Sequence, residues 1–417
     1  MQKEKIHQSN LLLYFGLSLT VLVGFYFGED SSGSGGFIAD FKNTWPVLNL
    51  IEKKEYFNFS EYTVHFPLHY YILYFFNSII ENKDGVRFVF SLISLVVPYL
   101  FFLILKEKFS SISLNKLFFI SQVIFLLPSF RSGAIWANTQ ISALIFFIIS
   151  IIFYLKWFNS NSKVVNKYII FQCIFLSLAV YSRQLYAIIF IFILYVYLIK
   201  LEFKSFIKVS IIIFFLSLPG IFFVFLSPRT LTTTFDFNLI NTFIVNTSII
   251  SFYLIPIFLV YYLNSYKNLK IIENRKNDYL IIFFSSLLVI LSSFYFNYNP
   301  SLGGGFFIKL SMLFFQNLHF FFFTSIIGSI LILFIFKEDR NSIVLFILLI
   351  FGLSSYQIFQ KYFEPMIIIL LFSIIVFRPI NIILSSYKNI CIFKLYFLIY
   401  LFSAIINDIY KITKTFV

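Results

Sequence analysis

Charge is scarce in this chain. Asp, Glu, Lys and Arg make up 12% of its 417 residues, where a soluble domain uses about 25% to cover its surface. That shortage excludes an ordinary soluble fold wetted on all sides. Regular alternation of polar and apolar residues is missing too, which excludes the strands of a transmembrane barrel. Cysteine is reduced to Cys173 and Cys391, each inside an apolar run and neither in a metal-like spacing. No disulfide framework or zinc signature is therefore expected, and both are read as buried thiols. No internal repeat, nucleotide-binding motif, Ser-His-Asp arrangement or haem motif is found. The basic start leads into an apolar run to Gly28 without a small-residue cleavage site before Glu29. That run reads as an uncleaved first transmembrane helix.

What fills the chain is apolar. Hydrophobic residues make up 60% of it, and the mean hydropathy is +0.90. They form runs of about 15–22 residues, near the length that crosses a ~30 Å hydrocarbon core. In lipid only helices and closed barrels satisfy their backbone groups, so the fold class is all-α and polytopic. The runs lie at 11–28, 67–80, 88–105, 117–130, 138–157, 168–182, 185–200, 206–226, 243–263, 279–296, 318–336, 342–358, 363–377 and 390–406. They give about 13 membrane segments in one integral membrane domain, 1–417. Within it, 11–230 with its long loop 29–66 reads as the chemical module, and 231–417 as additional transmembrane helices. The 63 phenylalanines reflect a choice among apolar residues rather than aromatic binding. The net charge of +14 is carried mostly by loops, where positive-inside bias and anionic lipid account for it. The expected partner is membrane lipid, not nucleic acid.

Basic clusters at 3–5, 106–116, 156–167, 200–208, 267–276, 337–340 and 378–388 place those loops on the cytoplasmic side. The alternation fails once, because 67–80 and 88–105 cannot both cross. Either 67–80 is a re-entrant or tilted half-helix, or the cluster 106–116 breaks the rule. The other face collects the polar stretches 29–66, 128–140, 182–184, 227–241, 297–305 and 360–365. Any chemistry is expected there.

Asp40 lies among aromatic and apolar residues in the one long hydrophilic loop, and long loops in compact proteins are usually functional. Residues 45–50 have interfacial helical character, so Asp40 is a carboxylate at the membrane surface. It suits a general base tuned by partial burial, or else a helix cap or a partner of Lys42. His65 and His69 are spaced for a shared metal on one helix, but Pro67 interrupts it. Hydrogen bonding to a phosphate or substrate is the simpler role for His65. Arg131 and Arg183 are the arginines placed closest to functional stretches. Arg183-Gln184 sits between two apolar runs, where an ionised group is costly and its planar fork matches a phosphate; snorkelling to headgroups is the alternative. Lys361-Tyr362 precedes Glu364, with which Lys361 could pair, or Lys361 could complete an anion site. Gly303-Gly304-Gly305 reads as a mobile lid or plain loop, because no following helix start is evident.

Taken in order, Asp40, the entry His65-Phe66-Pro67-Leu68-His69-Tyr70, the stretch 128–140 and Arg183-Gln184 resemble the membrane glycosyltransferases of the GT-C superfamily. The motif order is most similar to the α-1,2-glucosyltransferases that finish the dolichol-linked oligosaccharide. Three positions depart from that pattern: Phe41 follows Asp40 where an acid is usual, Asn138-Thr139-Gln140 replaces a motif ending in Asp, and Leu185-Tyr186 follows Arg-Gln. The resemblance implies a polyprenyl-phosphate sugar donor and a glycan or lipid-linked acceptor. It implies transfer at the non-cytoplasmic face, which in a bacterium is the periplasmic side of the inner membrane. Asp40 would be the base, and Arg183, with Arg131 or Lys361, would meet the phosphate. Some such enzymes use a divalent metal; no metal ligands are assigned here. An O-antigen-type polymerase and a lipid-linked oligosaccharide flippase or other transporter are the competing classes.

Overall fold

The computed structural model of the protein describes residues 6–31, 37–226, 238–265, 275–300, 303–355 and 357–415. Lys3 and Lys5, the Ser/Gly stretch 32–36, most of 227–241 and most of 267–276 lie outside the described residues. The chain forms two compact units, residues 1–234 with 400–417, and residues 235–399.

In the first unit the helices are α1 (Gln8–Phe27), α2 (Phe37–Lys53), α3 (Leu68–Ile80), α4 (Lys83–Ser94), α5 (Val97–Lys108) and α6 (Leu114–Ser121). They continue with α7 (Pro128–Ile135), α8 (Thr139–Asn159), α9 (Lys167–Ser182), α10 (Ala187–Lys200) and α11 (Phe203–Leu226). The second unit holds α12 (Leu239–Ser265), α13 (Arg275–Ser293), α14 (Gly305–Phe315), α15 (His319–Glu338), α16 (Ser342–Phe351), α17 (Met366–Ser373) and α18 (Arg378–Ser385). The last helix, α19 (Tyr387–Thr415), begins there and ends among residues counted with the first unit.

Among the described residues, seven helical stretches are long and apolar enough to cross a membrane: α1, α4 with α5, α8, α11, α12, α15 and α19. Two bent pairs, α6 with α7 at 70° and α17 with α18 at 95°, bring the number to nine if each is one span. This is a polytopic helical membrane protein. The expected 13 segments are not found, for a physical reason. Apolar runs at 168–182, 185–200 and 342–358 form helices that end after 16, 14 and 10 residues. At 1.5 Å per residue these reach about 15–24 Å, short of the ~30 Å core. α14, 11 residues long, was not foreseen at all.

α3 has 13 residues, about 20 Å, and fits the half-helix expectation for 67–80. The run 117–130 breaks where a 3₁₀ turn, Gln122–Leu126, meets Pro128 at the first position of α7. There proline's missing N–H and fixed φ suit a helix start. Two further expectations are corrected. Cys391 lies on an exposed face of α19, while Cys173 is buried; both are free. The glycine run does precede a helix: Gly304, at φ 81°, caps α14. The Gln360 side-chain carbonyl accepts from the Phe306 N–H at 2.6 Å. A Cβ on Gly303, at φ 143°, would press on the Ile358 carbonyl at 2.7 Å, so this turn is packed.

α2 positions the site. Of its buried residues, Phe37, Phe41, Thr44, Val47, Leu48 and Ile51 recur at the spacing of one helical face, with Leu50 buried off that face. α2 packs on α3. α7 packs on both α1 and α4, which fixes the turn leading into α8.

Candidate active site

The loop 29–66 shapes a cavity of about 280 Å³ in the first unit. One wall is the start of α2, with Asp40, Phe41, Asn43 and Thr44; a second is the stretch 61–65 with Tyr70; the third is Trp136 with Asn138-Thr139. Asp40 stands in the first turn of α2, where the helix dipole favours a carboxylate. It lies on the exposed side of that helix, so the partial burial expected of it is not found.

Asn138 was noted only as a departure from a motif, yet it holds the site together. Its carbonyl oxygen caps α8 by accepting from the Gln140 N–H at 3.0 Å. Its amide nitrogen donates to Asp40 Oδ2 at 3.1 Å. The cap fixes which end of the amide is which, and so aims a donor at the carboxylate. Asn138 is reached through Ala137, whose φ of 45° is left-handed. The Asn138 N–H bonded to the Gly133 carbonyl at 2.9 Å closes that turn.

His65 and Gln184 meet. Their side chains, Nδ1 and Oε1, are 3.1 Å apart, and Gln184 Nε2 donates to the Val64 carbonyl at 2.8 Å. The start of the 3₁₀ turn after α9 therefore clamps the cavity's second wall. Arg183, at the C-cap of α9, is 4% exposed. Arg183 itself is not among the residues lining the cavity; Tyr70 is, its hydroxyl hydrogen-bonded with Thr63 Oγ1 at 2.6 Å. Tyr70 was quoted in a motif without a role.

The two histidines part company. Pro67 precedes α3, leaving His65 outside the helix and His69 inside it. His69 is fully buried, with Nδ1 and Ser142 Oγ 2.8 Å apart. Burial pushes its pKa down to about 3, so the ring is neutral. Among the described residues, no three His, Cys, Asp or Glu side chains gather to hold a metal.

Arg131 does not line this cavity. It forms a bidentate pair with Glu29, Nε to Oε1 at 2.9 Å and Nη2 to Oε2 at 2.6 Å. It also donates to Thr20 Oγ1 and to the Thr20 carbonyl, each at 2.9 Å. A Cβ on Gly24 would collide with Glu29 Oε2, so the pair needs glycine there. The Glu29 carbonyl accepts the Trp136 indole N–H at 2.9 Å, which ties the pair to the cavity wall. Lys361 and Tyr362 belong to the second unit, in a 3₁₀ turn before Glu364. There Glu364 is buried and accepts the Tyr253 hydroxyl at 3.0 Å.

Comparison with family models, with curated proteins and with solved structures finds no match.

Proposed function

We propose that this protein is a membrane glycosyltransferase of the GT-C kind. It moves a sugar from a polyprenyl-phosphate donor to a glycan or lipid-linked acceptor at the non-cytoplasmic face. The observation that carries the reading is the pairing of Asp40 with Asn138 in a cavity built from the first long loop, whose wall residue His65 is held by Gln184, next in the chain to buried Arg183. Asp40 takes the proton of an acceptor hydroxyl, whose oxygen forms a bond to the anomeric carbon. The bond from that carbon to the phosphate oxygen breaks with inversion, and the lipid phosphate leaves with the electron pair. A guanidinium beside the departing phosphate supplies the electrostatic stabilisation this step needs. Proton abstraction by a placed carboxylate contributes about 10²–10⁴-fold.

The length of α3 also supports the reading. With α3 short of a crossing, the α4–α5 span alone separates α2 and its cavity from the basic cluster 106–116, which this reading puts on the cytoplasmic side. The test is donor class. Purified protein in proteoliposomes is given a labelled sugar on polyprenyl phosphate, then on a nucleoside diphosphate. Transfer from the lipid donor alone is expected. Chain extension from a lipid-pyrophosphate oligosaccharide, without any monosaccharide donor, would move the polymerase reading ahead.

A further inference from the structure

Trp136 is an aromatic surface held rigid at the cavity wall. The Arg87 guanidinium lies 4.0 Å from its ring centroid and covers one face. Arg87 is itself fixed: Nε donates to the Ile135 carbonyl at 3.0 Å, and Nη1 to Asp84 at 2.9 Å. The indole N–H is held by the Glu29 carbonyl at 2.9 Å. Buried Phe41 packs on the indole at 5.7 Å and 58°, and both residues belong to the cavity wall. Trp136 is nonetheless only half-buried. A ring held this firmly at a cavity wall beside a carboxylate does more than fill a core.

We propose that Trp136 is a stacking subsite for the pyranose ring of the acceptor. This inference rests on the transferase reading and names the part of the substrate that Asp40 faces. Phe41 adjoins Asp40 in the chain, and Asn138, two residues after Trp136, donates to the Asp40 carboxylate at 3.1 Å. A sugar that offers its hydroxyl to Asp40 in this cavity therefore brings its ring toward the Trp136 side chain. The C–H face of a pyranose is weakly positive and meets the negative face of an indole favourably. Apolar lining with a few placed polar groups is the usual make-up of such a site. Because Arg87 and Glu29 already fix the indole plane, little side-chain freedom is lost when the sugar arrives.

The chain has three tryptophans, so the full-length variant W45F/W157F reports from Trp136 alone. In lipid nanodiscs it is titrated with the methyl pyranosides of glucose, galactose, mannose and N-acetylglucosamine, and with sorbitol as an open-chain polyol. A saturable change in Trp136 emission with at least one pyranoside, and none with sorbitol, is expected. Asp40→Asn in the same background keeps that response, because stacking needs no base. In the transfer assay Trp136→Ala raises the acceptor KM about tenfold while kcat stays near wild type, and Trp136→Phe falls between. Emission indifferent to every pyranoside, or equally responsive to sorbitol, overturns the inference even if Trp136→Ala fails to fold. Asp40-dependent transfer alongside such indifference would leave the transferase reading standing and remove this subsite alone.

Discussion

Arg131→Met leaves Glu29 as a carboxylate in a place water barely reaches. The two side chains are 4% and 10% exposed, and the arginine makes four hydrogen bonds, two to Glu29 and two to Thr20. Removing one member of such a buried pair costs about 3–5 kcal/mol, because the other charge is stranded. Replacing both, as Glu29→Gln with Arg131→Met, removes the stranded charge and recovers most of that loss. The coupling read from the double-mutant cycle is then about 2 kcal/mol or more. The assay is unfolding of the full-length protein in mixed micelles by titrated denaturing detergent, followed by tryptophan emission. Arg131→Met as stable as wild type would refute the reasoning, and so would a double variant as unstable as the two single losses summed. If Arg131→Met kept its stability and lost binding of a polyprenyl-phosphate sugar, Arg131 would return to the anion site that its position in the sequence suggested.

Asn138→Asp keeps an oxygen to cap α8 but sets a second carboxylate against Asp40, where the amide now donates at 3.1 Å. Two acids that close raise one another's proton affinity, so the acid limb of the pH–rate profile moves up by about one unit or more while the fold persists. An unmoved profile would show that Asp40 does not titrate in the rate. His69 gives a pH dependence of stability. Its folded pKa, near 3, lies below the ordinary 6.5, so between those values the unfolded chain binds the extra proton. The stability tied to this ring is complete above about pH 6.5 and is lost as pH falls toward 3. His69→Gln should flatten that part of the detergent-unfolding curve measured against pH, and an unchanged slope would mean that other groups carry it.

The class of the protein was legible because bilayer thickness dictates run length. α11 and α15 match the expected runs at 206–226 and 318–336 to within a few residues. Hydropathy alone does not see where an apolar run bends, so the break at Pro128 was invisible, and the basic stretch 378–388, read as a loop, holds helix α18. α14 escaped because its apolar stretch is short and its start was taken for a loop at the glycine run. At the site, Asp40, His65 and Gln184 stood out by position in polar stretches between apolar runs. The partners of Asp40 and Arg131 did not, because Asn138 and Glu29 lie 98 and 102 residues away and nothing local marks the pairing. Trp136 and Arg87 were missed for the same reason. An arginine inside an apolar helix is a signal in itself, and at Arg87 it would have pointed to the wall of the cavity.

The most direct test of the account separates the chemical step from donor binding in Asp40→Asn. The substitution keeps the size of the side chain and removes the lone pair that accepts the proton. Single-turnover transfer of labelled sugar from polyprenyl phosphate, in reconstituted membranes at saturating donor, measures the step alone. A fall of about 10²–10⁴-fold with donor affinity unchanged is the result expected of a general base; wild-type single-turnover rates in correctly folded Asp40→Asn would contradict it.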